Sequence, residues 1–157
     1  MSRRIAAVTA ALAAAGLTAG LVADSGRAQD PGRTITITPV KGSEAFNDVA
    51  PKGIRRGKTS LGDQFFLTVA VRRDDGARGR LQATYTVGQK KVSLVGSRGQ
   101  LSGVYRFADG AIFIEAEGTF EDSDVDRGAI VGGTGAYVGA RGTLDSDKTH
   151  DVLHLLP

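Results

Sequence analysis

The chain has no cysteine and no tryptophan, and only one methionine. Without cysteine, the sequence excludes disulfide bonds, thiol catalysis, cysteine-ligated metals and a lipid anchor on a cysteine. The aromatic residues are six phenylalanines and three tyrosines. Valine, isoleucine and leucine must therefore supply most of the packing in any core.

Histidine is also scarce. His150 and His154 are the two histidines of the chain, and their spacing could hold a metal together with Asp147 or Asp151. No further ligand follows at a recognisable spacing, so we predict no metal site. The chain also lacks the G-x-S-x-G motif, which excludes the nucleophile elbow of serine hydrolases.

The first 28 residues have the composition of a secretory signal peptide. Arg3 and Arg4 precede an uncharged run rich in alanine and leucine, and small residues follow. We predict export with cleavage after Ala28, with cleavage after Ala23 as the alternative. The general secretory route and the twin-arginine route both remain open. A stable membrane anchor is not expected, because a run made mostly of alanine is only mildly hydrophobic.

Removal of this leader changes the charge of the protein. The whole chain has a net charge of +3, and residues 1–28 carry three arginines and one aspartate, so residues 29–157 have a net charge of +1. Basic and acidic residues alternate along the mature chain, whereas nucleic-acid binding requires a concentrated basic face. We therefore predict one secreted domain over residues 29–157 that does not bind nucleic acid.

After the leader the chain reads as a series of short strands. Residues 78–87 alternate between polar and apolar side chains, which is typical of a strand with one buried face. Asp75-Gly76 and Asp109-Gly110 are hairpin-turn sequences. Further strand-like runs occur at residues 34–38, 62–73, 91–95, 100–107, 111–120, 129–131, 136–138 and 151–156. Pro39 is expected to end the first strand or mark a sheet edge, and residues 41–60 are predicted to be an irregular loop.

About eight such strands and no helix predict an all-β fold, either an antiparallel barrel or a sandwich. Residues 127–146 are the most distinctive stretch, with six glycines and no proline. Two interpretations of this stretch are a phosphate-binding loop and a tight corner between two strands at Gly133-Thr134-Gly135. Neither a helix nor a lysine follows, as a phosphate loop requires, so the corner is favoured.

Residues 130–142, which read IVGGTGAYVGARG, resemble the signature of the allene oxide cyclase and dirigent β-barrel superfamily. Residues 62–65, GDQF, are similar to the start of an early strand in bacterial members, and residues 101–110 resemble the strand and turn before the central hairpin. The resemblance implies a single eight-stranded antiparallel β-barrel that binds a small hydrophobic molecule in its interior. It further implies a cofactor-free cyclisation, isomerisation or coupling, and it leaves a homodimer or homotrimer open.

The resemblance implies a pocket tyrosine at Tyr105, which lies on the apolar side of its strand and could donate a hydrogen bond to a developing oxyanion. Glu115 and Glu117 share one face of their strand. They could act as acid and base if that face is internal, and are solvated if it is external. These three residues are the predicted catalytic set. The predicted ligand-binding residues are Phe66, Tyr85, Phe107, Phe113 and Arg141.

The competing hypothesis is a barrel without catalytic activity. It would be a lipocalin-like carrier of apolar ligands, or a structural protein of the cell surface. An interior packed with aliphatic side chains favours this alternative, whereas an open pocket with Tyr105 beside a carboxylate favours the enzyme. The sequence does not name a substrate.

Overall fold

A computed structural model describes residues 32–49, 52, 57–89, 93, 96–119, 126–147 and 149–157. These residues form eight strands and no helix. The strands are β1 (Thr34–Asn47), β2 (Gln64–Arg73), β3 (Arg78–Val87), β4 (Arg98–Phe107), β5 (Gly110–Thr119), β6 (Asp126–Gly135), β7 (Gly142–Ser146) and β8 (Asp151–Leu155).

Each strand pairs antiparallel with the next, and β8 returns to β1, so the sheet closes into a barrel. The eight-stranded antiparallel β-barrel predicted from the sequence is confirmed. The proposed leader lies outside the described residues, and so does most of the predicted strand at residues 91–95. The described part of the chain has no helix with the length and apolarity needed to cross a membrane.

Apolar side chains at every second position of the strands line the barrel interior, because successive side chains of a strand point to opposite faces. In β3 the arginines of the first half are exposed, and Ala83, Tyr85 and Val87 of the second half, on the opposite face, are buried. The interior is filled by a cluster of buried side chains from all the strands except β3: Ile35, Ile37, Val71, Tyr105, Ile112, Ile114, Ile130, Tyr137, Leu144 and Leu153. Each buried isoleucine or leucine stabilises the fold by about 1.5–3 kcal/mol.

The first strand is longer than predicted. β1 continues through Pro39 to Asn47, with a register shift between Pro39 and Lys41. The prediction of a loop from residue 41 was therefore wrong for residues 41–47. Proline is tolerated here because β1 pairs with β8 only over Thr34–Ile37, so the following residues form one side of the sheet without a second partner.

We call the part of β1 that follows Ile37 the β1 notch. Beyond Ile37, the described residues of β1 pair with β2 alone. Ile37 is opposite Asp151, the first residue of β8, and β7 and β8 have only five residues each. The part of β1 that pairs with β2 alone therefore begins directly beside Asp151.

The glycine-rich stretch forms a strand and a turn, and the predicted corner at Gly133-Thr134-Gly135 was wrong. β6 runs through these residues, which pair with the beginning of β5. The chain reverses afterwards, at residues 136–139. Gly133 is required by close packing, because a Cβ there would lie 2.2 Å from the carbonyl oxygen of Tyr137. The same turn places Tyr137 inside the barrel, where it is 3% exposed.

Candidate functional site

A buried cluster of polar groups lies at Tyr105. The Tyr105 hydroxyl donates a hydrogen bond of 2.7 Å to Oδ2 of Asp151, and the Ser146 hydroxyl donates one of 2.5 Å to Oδ1 of the same carboxylate. Tyr105 is 1% exposed and Asp151 is 6% exposed. We call these three residues the Tyr105 site.

Strand register brings the three side chains together. Ser146 ends β7 and Asp151 begins β8, and the two residues are direct partners across that hairpin. Asp151 is in phase with Leu153, which is fully buried, so its carboxyl group points into the barrel. Tyr105 comes from the opposite wall, where it faces inward with its β5 partner Ile112.

The electrostatics of the Tyr105 site are dominated by burial. Removal from water raises the pKa of the Asp151 carboxyl group, and the hydrogen bonds from Ser146 and Tyr105 oppose that rise. Burial also raises the pKa of the Tyr105 phenol well above its ordinary value, with a further contribution from the negative charge of Asp151. Among the described residues, no arginine or lysine forms an ion pair with Asp151.

Because burial disfavours its charged form, a carboxyl group in this environment holds its proton more strongly than a solvated one and is a stronger base when ionised. The hydroxyl groups of Tyr105 and Ser146 can donate to it or pass a proton along a short chain. Such a perturbed acid in an otherwise apolar interior is typical of functional sites. The Tyr105 site is therefore the part of the described interior best suited to acid–base chemistry.

A second polar cluster closes the end of the barrel where the β2–β3, β4–β5 and β6–β7 turns meet. Arg73 is 7% exposed and forms ion pairs with Asp75 at 2.6 Å and with Asp109 at 2.8 Å. Its guanidinium group also donates to the Tyr137 hydroxyl and lies 5.1 Å from the ring centroid of Phe107. We call these five residues the Arg73 cluster.

The charge of Arg73 dominates this cluster. Its hydrogen bond with Asp75 lowers the pKa of that carboxyl group to about 2 and raises the pKa of the Arg73 guanidinium. The pKa of Asp109 is also lowered, chiefly by its hydrogen bond from Arg73. The cluster holds three turns together with a fully satisfied cation, and this arrangement indicates a structural role.

Two of the predicted ligand-binding residues lie on the outside of the barrel. Phe66 is 42% exposed and Phe113 is 36% exposed. Both border a groove of about 360 Å³ on the outer wall of β2–β5. We call this the aromatic groove; its lining is Phe66, Leu67, Thr68, Gln82, Ala83, Thr84, Ser102, Gly103, Val104 and Phe113.

The other two aromatic residues of the predicted ligand-binding set are internal, but neither reaches the Tyr105 site. Tyr85 is buried, and its hydroxyl lies within hydrogen-bonding distance of the backbone oxygens of Ser97 and Gly118. Phe107 belongs to the Arg73 cluster, with its ring centroid 6.5 Å from that of Tyr137. Both therefore stabilise ends of the barrel, and a role for them in ligand binding stays a prediction.

The remaining predicted site residues are on the outer surface. Glu115 accepts a hydrogen bond of 2.8 Å from Ser102, and Glu117 lies 3.7 Å from Arg98. Both glutamates share the outer face of β5 with Phe113, so the solvated alternative describes their position. Arg141 is exposed and donates to the carbonyl oxygen of Pro157. A catalytic role for the glutamates, and ligand binding by Arg141, stay predictions.

The histidines are placed separately. His150 contacts Thr149 through Nδ1, whereas Nε2 of His154 lies 3.4 Å from Asp145 on the outer surface. Within the described residues, no group of three or more histidine, aspartate or glutamate side chains is arranged to hold a metal ion.

Sequence reasoning singled out Tyr105 but missed its partners. Asp151 was considered only as a metal ligand, and Ser146 was not considered. A signal was available for Asp151, because it is in phase with the apolar Leu153 and Leu155 of its strand. An acid on the apolar side of a strand is unusual and is a candidate for function.

Comparison with known proteins shows the fold. No protein-family model matches the chain, and no curated protein matches it either. A solved structure of a pyocyanin demethylase matches with a TM-score of 0.56 and 17% sequence identity, over 78% of this chain and 98% of that one. The likeness establishes the fold alone. It agrees with a small antiparallel barrel and does not distinguish the allene oxide cyclase and dirigent superfamily from other barrels of this kind.

Proposed function

We propose that this protein is an exported barrel of the allene oxide cyclase and dirigent type that binds a small hydrophobic molecule at the Tyr105 site. There it steers a cyclisation, isomerisation or coupling without a cofactor. The observation that carries this proposal is the hydrogen bond of 2.7 Å between the buried Tyr105 hydroxyl and the buried Asp151 carboxylate. The fold shared with a pyocyanin demethylase, whose name describes action on a small molecule, is in keeping with it.

In this proposal Asp151 is the base and Tyr105 the hydrogen-bond donor. The Asp151 carboxylate takes a proton from one carbon of the substrate, and the resulting carboxylic acid returns that proton to another position. Tyr105 stabilises the negative charge that develops on a substrate oxygen between the two transfers. The sequence of steps is an isomerisation, in which no electron acceptor or donor is consumed.

The β1 notch supplies the route by which a ligand would approach. It begins beside Asp151, where β1 has lost its pairing with β8. Because the described interior is filled with side chains, a ligand must enter at this border and displace part of the apolar cluster around Leu153. The apolar lining favours a hydrophobic ligand, and the Tyr105 site then orients its polar atom.

The test begins with protein expressed from the full-length gene and purified under native conditions, followed by mass spectrometry of extracted small molecules. We expect a hydrophobic molecule to co-purify with the wild-type protein, and to be depleted by Tyr105→Phe and Asp151→Asn. Tyr137→Phe is the matched control, because it removes a second buried phenol in the Arg73 cluster. If the wild type and the three variants retain the same amount of the molecule, the Tyr105 site is not its binding site.

Catalysis requires a second measurement with the molecule so identified. A Tyr105→Phe or Asp151→Asn protein that converts it at the wild-type rate would contradict the acid–base roles. Conversion that is slowed by about 10²-fold or more, with Tyr137→Phe unaffected, is the expected result for loss of general acid–base catalysis.

A barrel without catalytic activity is the second candidate function. The observation that favours it is the filled interior, where buried side chains of the apolar cluster surround Tyr105. In that case Tyr105, Ser146 and Asp151 form a satisfied internal network that specifies the closure of β8. Absence of any co-purifying molecule, together with loss of stability in Tyr105→Phe, would favour this candidate.

Export and self-association belong to the same proposal. The predicted leader supports a secreted location, and mass measurement of protein recovered from the medium or periplasm would give the cleavage site.

The homodimer or homotrimer implied by the resemblance is checked by sedimentation of the purified barrel. We propose no nucleic-acid partner, on the basis of the mixed charge of the mature chain.

A further inference from the structure

The outer wall of the barrel carries four exposed arginines in adjoining positions of three strands. Arg72 of β2 is directly opposite Arg78 of β3, and Arg80 of β3 is directly opposite Arg106 of β4. All four side chains are exposed. We call them the arginine patch.

The patch has an unusual electrostatic arrangement. Directly opposed residues of antiparallel strands have Cβ atoms about 4.5–5.5 Å apart, and like charges in these positions are destabilising. Here two such like-charged contacts lie side by side. Residues Arg78 and Arg80 join them, since they are two positions apart on the same face of β3. The protein therefore concentrates four positive charges where local stability alone disfavours them.

Neighbouring carboxylates do not neutralise the patch. Asp75 and Asp109 are occupied by Arg73, and the Asp74 carboxylate accepts hydrogen bonds from backbone N–H groups. Among the described carboxylates, none forms an ion pair with any of the four arginines. The register neighbours at the sides of the patch are uncharged as well: Thr38, Ala70 and Ala111.

The aromatic groove continues directly from this patch. One step further along the same outer faces, the cross-strand row is Thr68, Gln82, Val104 and Phe113. The residues that line the groove include no charged side chain, although 24% of the whole chain is charged. Its aromatic borders, Phe66 and Phe113, are three strands apart, or about 15 Å at the usual strand spacing.

A cationic patch that adjoins an uncharged, partly aromatic groove is complementary to an anionic amphiphile. Arginine holds phosphate, sulfate or carboxylate groups through paired N–H donors. A groove of about 360 Å³ is within the range that accommodates a small ligand. Phe66 and Phe113 are about two-fifths exposed and border a concavity, so they are better placed to cover a single apolar chain than to insert into a bilayer.

We propose that the outer wall of β2–β5 is a binding site for a single anionic amphiphile, with its headgroup on the arginine patch and its apolar part in the aromatic groove. This site is on the opposite face of the sheet from the Tyr105 site. It does not depend on the function proposed for the interior, and the variants that test it leave the interior unchanged.

Dodecyl phosphate, kept below the concentration at which it aggregates, is the probe. Calorimetric titration is expected to show one site per chain. Inorganic phosphate provides the headgroup alone, and a tetraethylene glycol dodecyl ether provides the same tail without charge. Each of these two compounds should bind at least about tenfold more weakly than dodecyl phosphate. Inorganic phosphate lacks the apolar contact, and the ether lacks the charge-assisted contact.

Two double variants, each of which removes two positive charges, locate the site. Arg80→Gln/Arg106→Gln should weaken dodecyl phosphate binding by about tenfold or more, and Phe113→Ser should weaken it as well. Arg98→Gln/Arg127→Gln is the control, since both arginines are exposed and lie outside the patch. If the first double variant loses its fold, Arg72→Gln/Arg78→Gln provides the same comparison.

Three results would overturn this proposal. The first is no binding of monomeric dodecyl phosphate. The second is an equal loss of affinity in the control double variant, which would show a general effect of net charge. The third is binding to vesicles that contain phosphatidylglycerol without binding of the monomer, which would identify a membrane-docking surface instead.

Discussion

Tyr105 and Tyr137 are both buried in the barrel, and each hydroxyl lies beside an aspartate, but the two aspartates are perturbed in opposite directions. The pKa of Asp151 is raised because its carboxyl group is buried. Asp109 is 42% exposed, and its pKa is lowered because Arg73 donates to it. One guanidinium group and a difference in solvent exposure therefore separate the two aspartates.

The largest expected effect is at Arg73. Arg73→Met removes the hydrogen bonds that join three turns, and we expect the free energy of unfolding to fall by about 2–4 kcal/mol. Arg72→Met, at the exposed neighbouring position, should change it by less than about 0.5 kcal/mol. Urea unfolding of both variants measures the difference, and equal values would show that the cluster does not hold the barrel end together.

Tyr105→Phe is expected to have the next largest effect. It removes the donor to Oδ2 of Asp151 and leaves a buried oxygen without that partner, which should reduce the free energy of unfolding by about 1–3 kcal/mol. The same urea experiment applies. A variant as stable as the wild type would indicate that water or another donor replaces the phenol.

The pH dependence of stability should separate the two aspartates. Because folding raises the pKa of Asp151, the folded protein binds more protons above the ordinary carboxyl pKa, and this contribution to stability declines as pH rises. Folding lowers the pKa of Asp75 to about 2, so its contribution is present above the ordinary value of 3.8 and is lost as pH falls towards 2.

Asp151→Asn should remove the first of these pH dependences and preserve the second. The asparagine variant is expected to have a higher Tm than the wild type at pH 7 and a similar Tm near pH 3. Thermal unfolding followed by circular dichroism between pH 2 and pH 7 provides the measurement. A variant that is less stable at pH 7 would contradict a buried carboxylate of raised pKa.

Tyr137→Phe is expected to have the smallest effect. Arg73 retains both of its carboxylate partners when the Tyr137 hydroxyl is removed, so the free energy of unfolding should fall by no more than about 1 kcal/mol. Urea unfolding of Tyr105→Phe and Tyr137→Phe in one series tests whether the Tyr137–Asp109 contact contributes less to the free energy of unfolding than the Tyr105–Asp151 contact. The reverse order would show that Tyr137 is the main support of Arg73.

Local pattern predicted much of the fold but misplaced two boundaries. The alternation of β3 and the Asp75-Gly76 turn were confirmed residue by residue. Pro39 was expected to end the first strand or to mark a sheet edge, and the second alternative agrees with the structure, because among the described residues β1 pairs there with β2 alone and so accepts a residue that lacks an N–H. The corner expected at Gly133 lies three residues later, because Gly133 is part of β6 and serves close packing against Tyr137.

The candidate site was less accessible to sequence reasoning. Tyr105 is on the apolar side of its strand, so its burial could be predicted. Its contact with Asp151 joins residues 46 positions apart and depends on the closure of β8 onto β1. For Glu115 and Glu117 the external face was favoured but not decided, because the pattern of one strand does not establish which of its two faces points inward.

The sequence by itself determined that the chain is rich in antiparallel strands, that its core is aliphatic, and that cysteine chemistry is absent. These properties follow from composition and from the two-residue period of a strand. Tertiary structure alone decided which carboxylate meets Tyr105, which arginine is buried among three turns, and which four arginines adjoin on the outer wall. Each of these depends on strand register around a closed barrel, which brings together residues that are far apart in the chain.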